Sequence, residues 1–265
     1  MKILALDFDG VISDSAVESF VVALRTFARQ SGEKGIAAAG RDLADADAAT
    51  IRAHSLYRGF LDLMPLGNRA EDFAVALRLL EAGENVDQQD QFDRFRDELG
   101  EEFLGSFHRA FYLERAAFRS SDPAAWLALL GPFHDFVEIL RRRASDRVLA
   151  LATAKDRVSI DLLLDAYGIA DLFAPELIVD KEAGRSKRAH LALLRERLGV
   201  GFEEITFVDD KLNHLEDVSD LGVRCALSAW GYNGERERRL AAQRGFLVCE
   251  LPDAEVDLFG IAQGG

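Results

Sequence analysis

Asp7 and Asp9 stand two residues apart, and Gly10 follows at once. They close an apolar run, residues 3–7 reading Ile-Leu-Ala-Leu-Asp, with the composition of a buried strand. Two carboxylates so placed cannot both be buried unpaired, because desolvation costs several kcal/mol per ion. A divalent cation resolves the conflict. Mg²⁺ accepts hard oxygen ligands and keeps water and phosphate oxygens in its shell. Gly10 supplies the backbone freedom for a sharp turn after the strand.

Three further features share this pattern. Thr153 directly follows Val-Leu-Ala-Leu-Ala at 148–152, and Asp209-Asp210 follow Ile-Thr-Phe-Val at 205–208. A lysine, Lys181 or Lys187, precedes a helical stretch that stops at Gly199. Each has an ordinary reading alone: Thr153 as a helix N-cap, the lysines as solvated charges, Asp209-Asp210 as a cap for the next helix. Together their order and strand context are far more specific. In a parallel sheet the carboxyl ends of the strands share the edge where α/β folds bind ligands. A nucleophile, a proton donor, a hydroxyl, a cation and spare carboxylates at one edge are the parts of phosphoryl transfer, in which the protein mostly positions groups and stabilises charge.

The elements that would position these residues are α/β. Past residue 132, strand patterns at 147–152, 177–179, 205–208, 223–227 and 246–248 alternate with helical ones at 132–144, 158–167 and 187–198. Gly168 and Gly199 read as C-caps. Such alternation predicts a Rossmann-like parallel sheet with helices on both faces. Between Asp14 and about Arg119 the pattern is helical instead. Val17, Phe20, Val21, Leu24 and Phe27 recur at helical spacing, and Phe92, Phe95, Leu99, Phe103, Phe107 and Phe111 form an apolar stripe that reads as helix core. The stretch 36–49 reads as a loop or weak helix. The expected organisation is an α/β core of residues 1–15 and 126–265, interrupted after its first strand by an all-helical domain of residues 16–125. An insertion there is naturally a lid, hinged at 13–15 and at 120–123, where Ser-Ser-Asp-Pro has linker composition.

The 265 residues carry 32 basic and 46 acidic side chains, a net charge of −14. That argues against nucleic acid or an anionic membrane as a general partner. It does not argue against a phosphorylated substrate, since one bound cation reverses the local field. Cys225 and Cys249 read as small buried hydrophobes in a reducing compartment. No apolar run approaches the ~20 residues of a membrane span, and the first apolar stretch ends in Asp7 and Asp9, unlike a signal peptide. A cytoplasmic location is expected.

With these residues in place the chain resembles the haloacid dehalogenase superfamily of hydrolases, specifically phosphatase-type members with a helical cap inserted after the first motif. The resemblance covers residues 1–15 and about 132–231. It implies that Asp7 is the nucleophile, forming an aspartyl-phosphate, and that Asp9 is the general acid and then the base for water. It implies Mg²⁺ held by the Asp7 carboxylate, the Asp9 main-chain carbonyl and Asp210, with Asp209, Asn213 or a water completing the shell. Thr153 would bond the phosphoryl oxygens. Lys187, at the entry of its helix, is favoured over Lys181 as the phosphate-neutralising cation. A carboxylate at position 9 points to phosphate-ester chemistry. Substrate selection would come from the cap, where Arg58, Arg69, Arg109, Tyr112 and Arg115 are candidates and Arg69 leads. Ala154, next to Thr153, is carried with Arg69 as a substrate-binding position. The expected function is hydrolysis of a small phosphorylated metabolite. The alternatives are a phosphosugar mutase and a non-catalytic phosphate-binding protein. Oligomeric state is left open.

Overall fold

The computed structural model describes residues 2–31, 35–67, 69–184 and 186–260. Six parallel strands form the central sheet: β1 (Ile3–Leu6), β4 (Val148–Ala152), β5 (Ile178–Val179), β6 (Ile205–Asp209), β7 (Arg224–Ser228) and β8 (Leu247–Cys249), in the order β5-β4-β1-β6-β7-β8. β1 lies near the middle, with Ile3 opposite both Val148 and Ile205, and Leu6 opposite both Leu151 and Val208. A central parallel strand is covered on both faces and so reads as an unbroken apolar run. All four β1 residues are buried accordingly. Successive side chains alternate between faces. Ile3 and Ala5 join Phe207 in a cluster closed by Leu191 and Leu194 of the helix Lys187–Leu198 and by Leu215 and Val218 of the helix Leu212–Val218.

The chain divides into two compact units, Met1–Asp14 with Gly131–Gly265, and Ser15–Leu130. The second unit is helical. Its longer helices are Ala16–Ser31, Ala70–Ala82, Gln89–Leu99 and Glu101–Ser121. A file of aromatic rings runs through it: Phe20 to Phe60 at 5.2 Å, Phe60 to Phe73 at 5.4 Å and Phe73 to Phe111 at 5.5 Å between centroids. In the stripe at 92–111, Phe92, Phe107 and Phe111 are core while Phe95, Leu99 and Phe103 are half-buried, and two helices carry it. The break is Gly100, whose φ of +78° is open to glycine and strained for other residues.

Two boundaries differ from the sequence expectation. Ser120 and Ser121 continue the preceding helix, and Asp122 caps the next, Pro123–Ala128, by accepting a hydrogen bond from the Ala125 N–H at 3.0 Å. Pro123 occupies its first turn, where a missing N–H costs nothing. The expected linker is therefore helical, and the division falls at Gly131. Pro132 likewise does not start a helix. With Gly131 it forms the two-residue strand β3 (Gly131–Pro132), which pairs antiparallel with β2 (Ser13–Asp14), and the helix begins at His134. No described helix is long and apolar enough to cross a membrane.

Candidate active site

The strand β1 delivers Asp7 to the carboxyl edge of the sheet, where its N–H still bonds the Val208 carbonyl at 2.9 Å. The chain then turns sharply. The Phe8 carbonyl accepts from the Ile12 and Ser13 N–H groups, both at 2.9 Å, and the Gly10 N–H donates to the Ser13 carbonyl at 2.9 Å. Gly10 has φ +81°, and a Cβ there would lie 2.4 Å from Asp210 Oδ2. Glycine is thus required twice, by the turn and by the carboxylate packed on it.

Lys187 supplies the cation. Its ammonium lies 2.8 Å from Asp7 Oδ1 and 3.1 Å from Asp209 Oδ2, and it donates to the Ala152 carbonyl at 2.8 Å. Three acceptors use up its three donors. Burial alone would lower the Lys187 pKa, but Asp209 and Asp7 outweigh it and hold the group charged. Burial raises Asp7 above the ordinary carboxylate range, with Lys187 pulling the other way. Asp209 is buried too, yet Lys187 and His214 hold it well below the usual value. The His214 Nδ1 is 3.1 Å from both Asp209 oxygens, and the Lys211 N–H donates to Oδ1 at 2.9 Å. Lys181 lies in the turn after β5, partly exposed, with Glu182 at 3.8 Å.

Asp210 is placed differently. Its Oδ2 accepts from the Tyr232 N–H at 2.8 Å, while its buried Oδ1 has no hydrogen-bond partner. Burial, opposed by Lys211 and reinforced by Asp209 and Asp7, pushes its pKa up to about 7. Such a carboxylate is short of positive charge. The loop after β7 confines it. The Asn233 amide donates to the Asp210 carbonyl at 3.1 Å, and the Tyr232 carbonyl accepts from the Lys211 ammonium at 2.8 Å. The same loop grips the turn after β1, the Trp230 indole donating to the Val11 carbonyl at 3.0 Å and the Tyr232 hydroxyl to Asp14 at 3.0 Å. Sequence reasoning did not find this loop, whose direct contact with the Asp210 carboxylate is a main-chain N–H.

Thr153 sits at the end of β4, its N–H on the Val179 carbonyl at 3.0 Å and its hydroxyl oxygen accepting from the Lys155 N–H at 3.2 Å. Lys155 is a second residue that sequence reasoning missed. Its ammonium reaches Asp9, 2.9 Å from Oδ1 and 3.2 Å from Oδ2. The signal was there in principle. Asp9 lies three residues past the end of β1 and Lys155 three residues past the end of β4, so adjacency of β1 and β4 brings them together.

The fold therefore gathers Asp7, Asp9, Thr153, Lys187, Asp209 and Asp210 on one sheet edge. Ala154 is exposed beside Thr153. Arg69 belongs to the helical unit, exposed, immediately before Ala70–Ala82. Arg115 is not available to a substrate. It is buried, its guanidinium bonding both carboxylate oxygens of buried Glu18 at 2.8 Å. Tyr112 packs at a tilt against His108 with centroids 5.0 Å apart, and Arg58 and Arg109 are exposed.

The carboxyl-edge constellation can be compared with known proteins. No curated protein matches the sequence. Solved structures share the fold at low identity. One is a provisionally named phosphoglycolate phosphatase from Lactobacillus delbrueckii subsp. bulgaricus, 14% identical, covering 98% of this chain and 100% of that one with a TM-score of 0.68. Another is a haloacid dehalogenase-like hydrolase from Streptococcus pneumoniae, 15% identical, covering 96% of each chain with a TM-score of 0.60. A third is a predicted phosphoglycolate phosphatase from Haemophilus somnus, 18% identical, covering 96% of each with a TM-score of 0.58. The family model for haloacid dehalogenase-like hydrolases matches residues 1–216, from the Asp7 strand through the Asp209-Asp210 pair, and the chain belongs to that family.

Proposed function

We propose that this hydrolase is a Mg²⁺-dependent phosphatase of a small phosphorylated metabolite. One observation carries the reading: Lys187 ties Asp7 to Asp209 at the sheet edge, beside an Asp210 oxygen that is buried and unpartnered. Asp7 is thereby oriented by a fixed ammonium, as a carboxylate nucleophile approaching a phosphate dianion requires.

The residues fit a hard divalent cation. Asp210 Oδ1 is an orphaned acceptor, and Asp7 and Asp210 are both raised by burial. The Asp7 carboxylate, the Asp9 carbonyl and Asp210 would hold the ion. Asp7, Asp209 and His214 also cluster with ligand atoms within 4.8 Å of one another. Asp209 is the weaker ligand of the two acids, because Lys187, His214 and the Lys211 N–H already occupy its oxygens. When bound, Mg²⁺ would offset the negative charge of the phosphoryl group and of the carboxylates facing it.

On this reading Asp7 attacks phosphorus. The ester P–O bond breaks, and the leaving oxygen keeps the electron pair and takes a proton from Asp9. Water then attacks the aspartyl-phosphate and gives a proton to Asp9. The bond between phosphorus and Asp7 breaks, and phosphate leaves. Thr153 would bind the phosphoryl oxygens, and Lys187, its donors engaged by Asp7, Asp209 and the Ala152 carbonyl, would orient Asp7 and offset the phosphoryl charge.

The test is turnover by the purified full chain of small phosphorylated metabolites, with and without Mg²⁺, alongside Asp7→Asn. Metal-dependent phosphate release that Asp7→Asn abolishes supports the proposal. Transfer of phosphate between positions of a sugar would favour the mutase. Phosphate binding without turnover of any compound would favour a binding protein and sink the enzyme reading.

A further inference from the structure

Lys155 forms an ion pair with Asp9, the proton donor of the proposed reaction. Its side chain is fully buried, whereas the Asp9 carboxylate it contacts is 29% exposed. The ammonium spans both Asp9 oxygens, at 2.9 and 3.2 Å, and stands 5.9 Å from the centroid of the Phe8 ring. Its main chain is fixed as well, the N–H bonding Thr153 Oγ1. Asp156 follows and caps the next helix by accepting from the Ser159 N–H at 3.0 Å. Lys155 is thus anchored from below, and the carboxylate above it faces the solvent side.

Asp7 and Asp9 leave the same short turn, and each meets its own buried ammonium. Lys187 lies 2.8 Å from Asp7 and Lys155 lies 2.9 Å from Asp9. The two pairs hold the two carboxylates in separate orientations. Without Lys155 the Asp9 side chain would keep its place in sequence and lose the ion pair that spans both its carboxylate oxygens. A proton donor must lie within hydrogen-bond reach of the atom it serves, so geometry comes first.

We infer that Lys155 is a positioning residue that acts on the reaction through Asp9, aiming its carboxyl group at the leaving oxygen. This rests on the phosphatase reading above. The step it serves is the first one. As the ester P–O bond breaks, the leaving oxygen takes the electron pair and the proton carried by Asp9. An alkoxide leaving group needs that proton, whereas a nitrophenolate departs readily without it. General acid catalysis by a well-placed group is worth about 10²–10⁴-fold.

The experiment compares kcat/KM for an alkyl phosphate that the enzyme accepts with kcat/KM for p-nitrophenyl phosphate. It uses the full chain with Mg²⁺, as wild type, Lys155→Met, Lys155→Arg, Asp9→Asn and the double variant. kcat/KM is the right quantity because it ends at departure of the leaving group, so the later hydrolysis of the aspartyl-phosphate does not enter. Lys155→Met is expected to lose about 10²-fold on the alkyl ester and about tenfold less on the nitrophenyl ester. Lys155→Arg should recover part of that difference. The losses of Lys155→Met and Asp9→Asn should not add, because one residue works through the other. Equal losses on both esters, or additive losses in the double variant, overturn the inference. Additive losses confined to substrates with an anionic leaving group would instead make Lys155 a substrate contact. If Lys155→Met does not fold, the split in Lys155→Arg and the leaving-group dependence of Asp9→Asn decide the matter. Failure of the wild type to cleave either ester is a different result, and it sinks the phosphatase reading together with this inference.

Discussion

Gly231 abuts Asp210 so closely that a Cβ on it would lie 2.3 Å from the Asp210 Cβ and 2.4 Å from the Gly10 carbonyl oxygen. Neither neighbour is a flexible side-chain tip. Gly231→Ala must therefore move Asp210, the turn after β1, or both. Overpacking of this kind costs about 1–3 kcal/mol. The expected outcome is a folded protein with a lower Tm whose activity needs about tenfold more Mg²⁺, a change of about 1.4 kcal/mol. A Mg²⁺ titration of activity, with thermal unfolding as a control, checks it. An unchanged Mg²⁺ requirement would separate Asp210 from the metal.

Lys187 and Lys181 are six residues apart and should behave very differently. Lys187→Ala leaves Asp7 and Asp209 buried without their shared ammonium. Removing one partner of a buried ion pair costs about 3–5 kcal/mol, and on the proposed mechanism the transition-state charge loses its stabiliser as well. Lys187→Met, which keeps the packing of the stem, should retain more stability and the same loss of kcat. Lys181 is partly exposed, so Lys181→Ala should stay within about 0.5 kcal/mol of wild type. Tm and kcat for the three variants settle the order, and a damaging Lys181→Ala would move the site from the helix entry back to the strand end.

Much of the sheet and its edge was legible because burial imposes a pattern. An apolar run that ends abruptly in Asp7, Thr153 or Asp209-Asp210 has few physical explanations other than a strand leaving the core. Lys155 was not legible, because a lysine in a loop is ordinarily solvated, and only the pairing of β1 with β4 turns it onto Asp9. Tyr232 escaped for another reason. It serves Asp210 with a main-chain N–H that every residue but proline possesses, across 22 positions of sequence. The division near residue 120 was misplaced because Ser-Ser-Asp-Pro fits a linker and a helix start equally well. The choice is made at Ser13 and Pro132, whose short ladder no local signal announces.

Glu18 carries the buried polar network of the helical unit. It is fully buried, accepts both Arg115 bonds and takes a third from the Trp126 indole at 3.0 Å. Glu18→Gln removes the charge that the buried Arg115 guanidinium faces across two hydrogen bonds. The expected loss is about 3–5 kcal/mol of stability. Replacing the pair together, Glu18→Leu with Arg115→Met, should recover most of it, since a packed apolar pair avoids the desolvation cost. Chemical denaturation of the three proteins tests this. Equal destabilisation of the single and double variants would mean that packing, not charge, sets the loss.

His190 gives the molecule an acid-sensitive point one helical turn from Lys187. Its Nε2 bonds the Gly184 carbonyl at 2.9 Å, and its Nδ1 is buried without a partner. Burial, partly offset by the Gly184 bond and reinforced by Lys187, holds its pKa below the ordinary histidine value. The sign follows from linkage. Above an unfolded-state pKa of about 6.5 the imidazole is neutral in both states, and its contribution to stability is fully present. As the pH falls below that value, the unfolded chain binds a proton that the folded protein resists, and stability is lost until the folded pKa is passed. His190→Gln keeps a donor for Gly184 and removes the titration. The expected result is a lower Tm at neutral pH but a shallower fall in Tm between pH 7 and pH 5 than in the wild type. Parallel slopes for the two proteins would show that other groups carry the acid sensitivity.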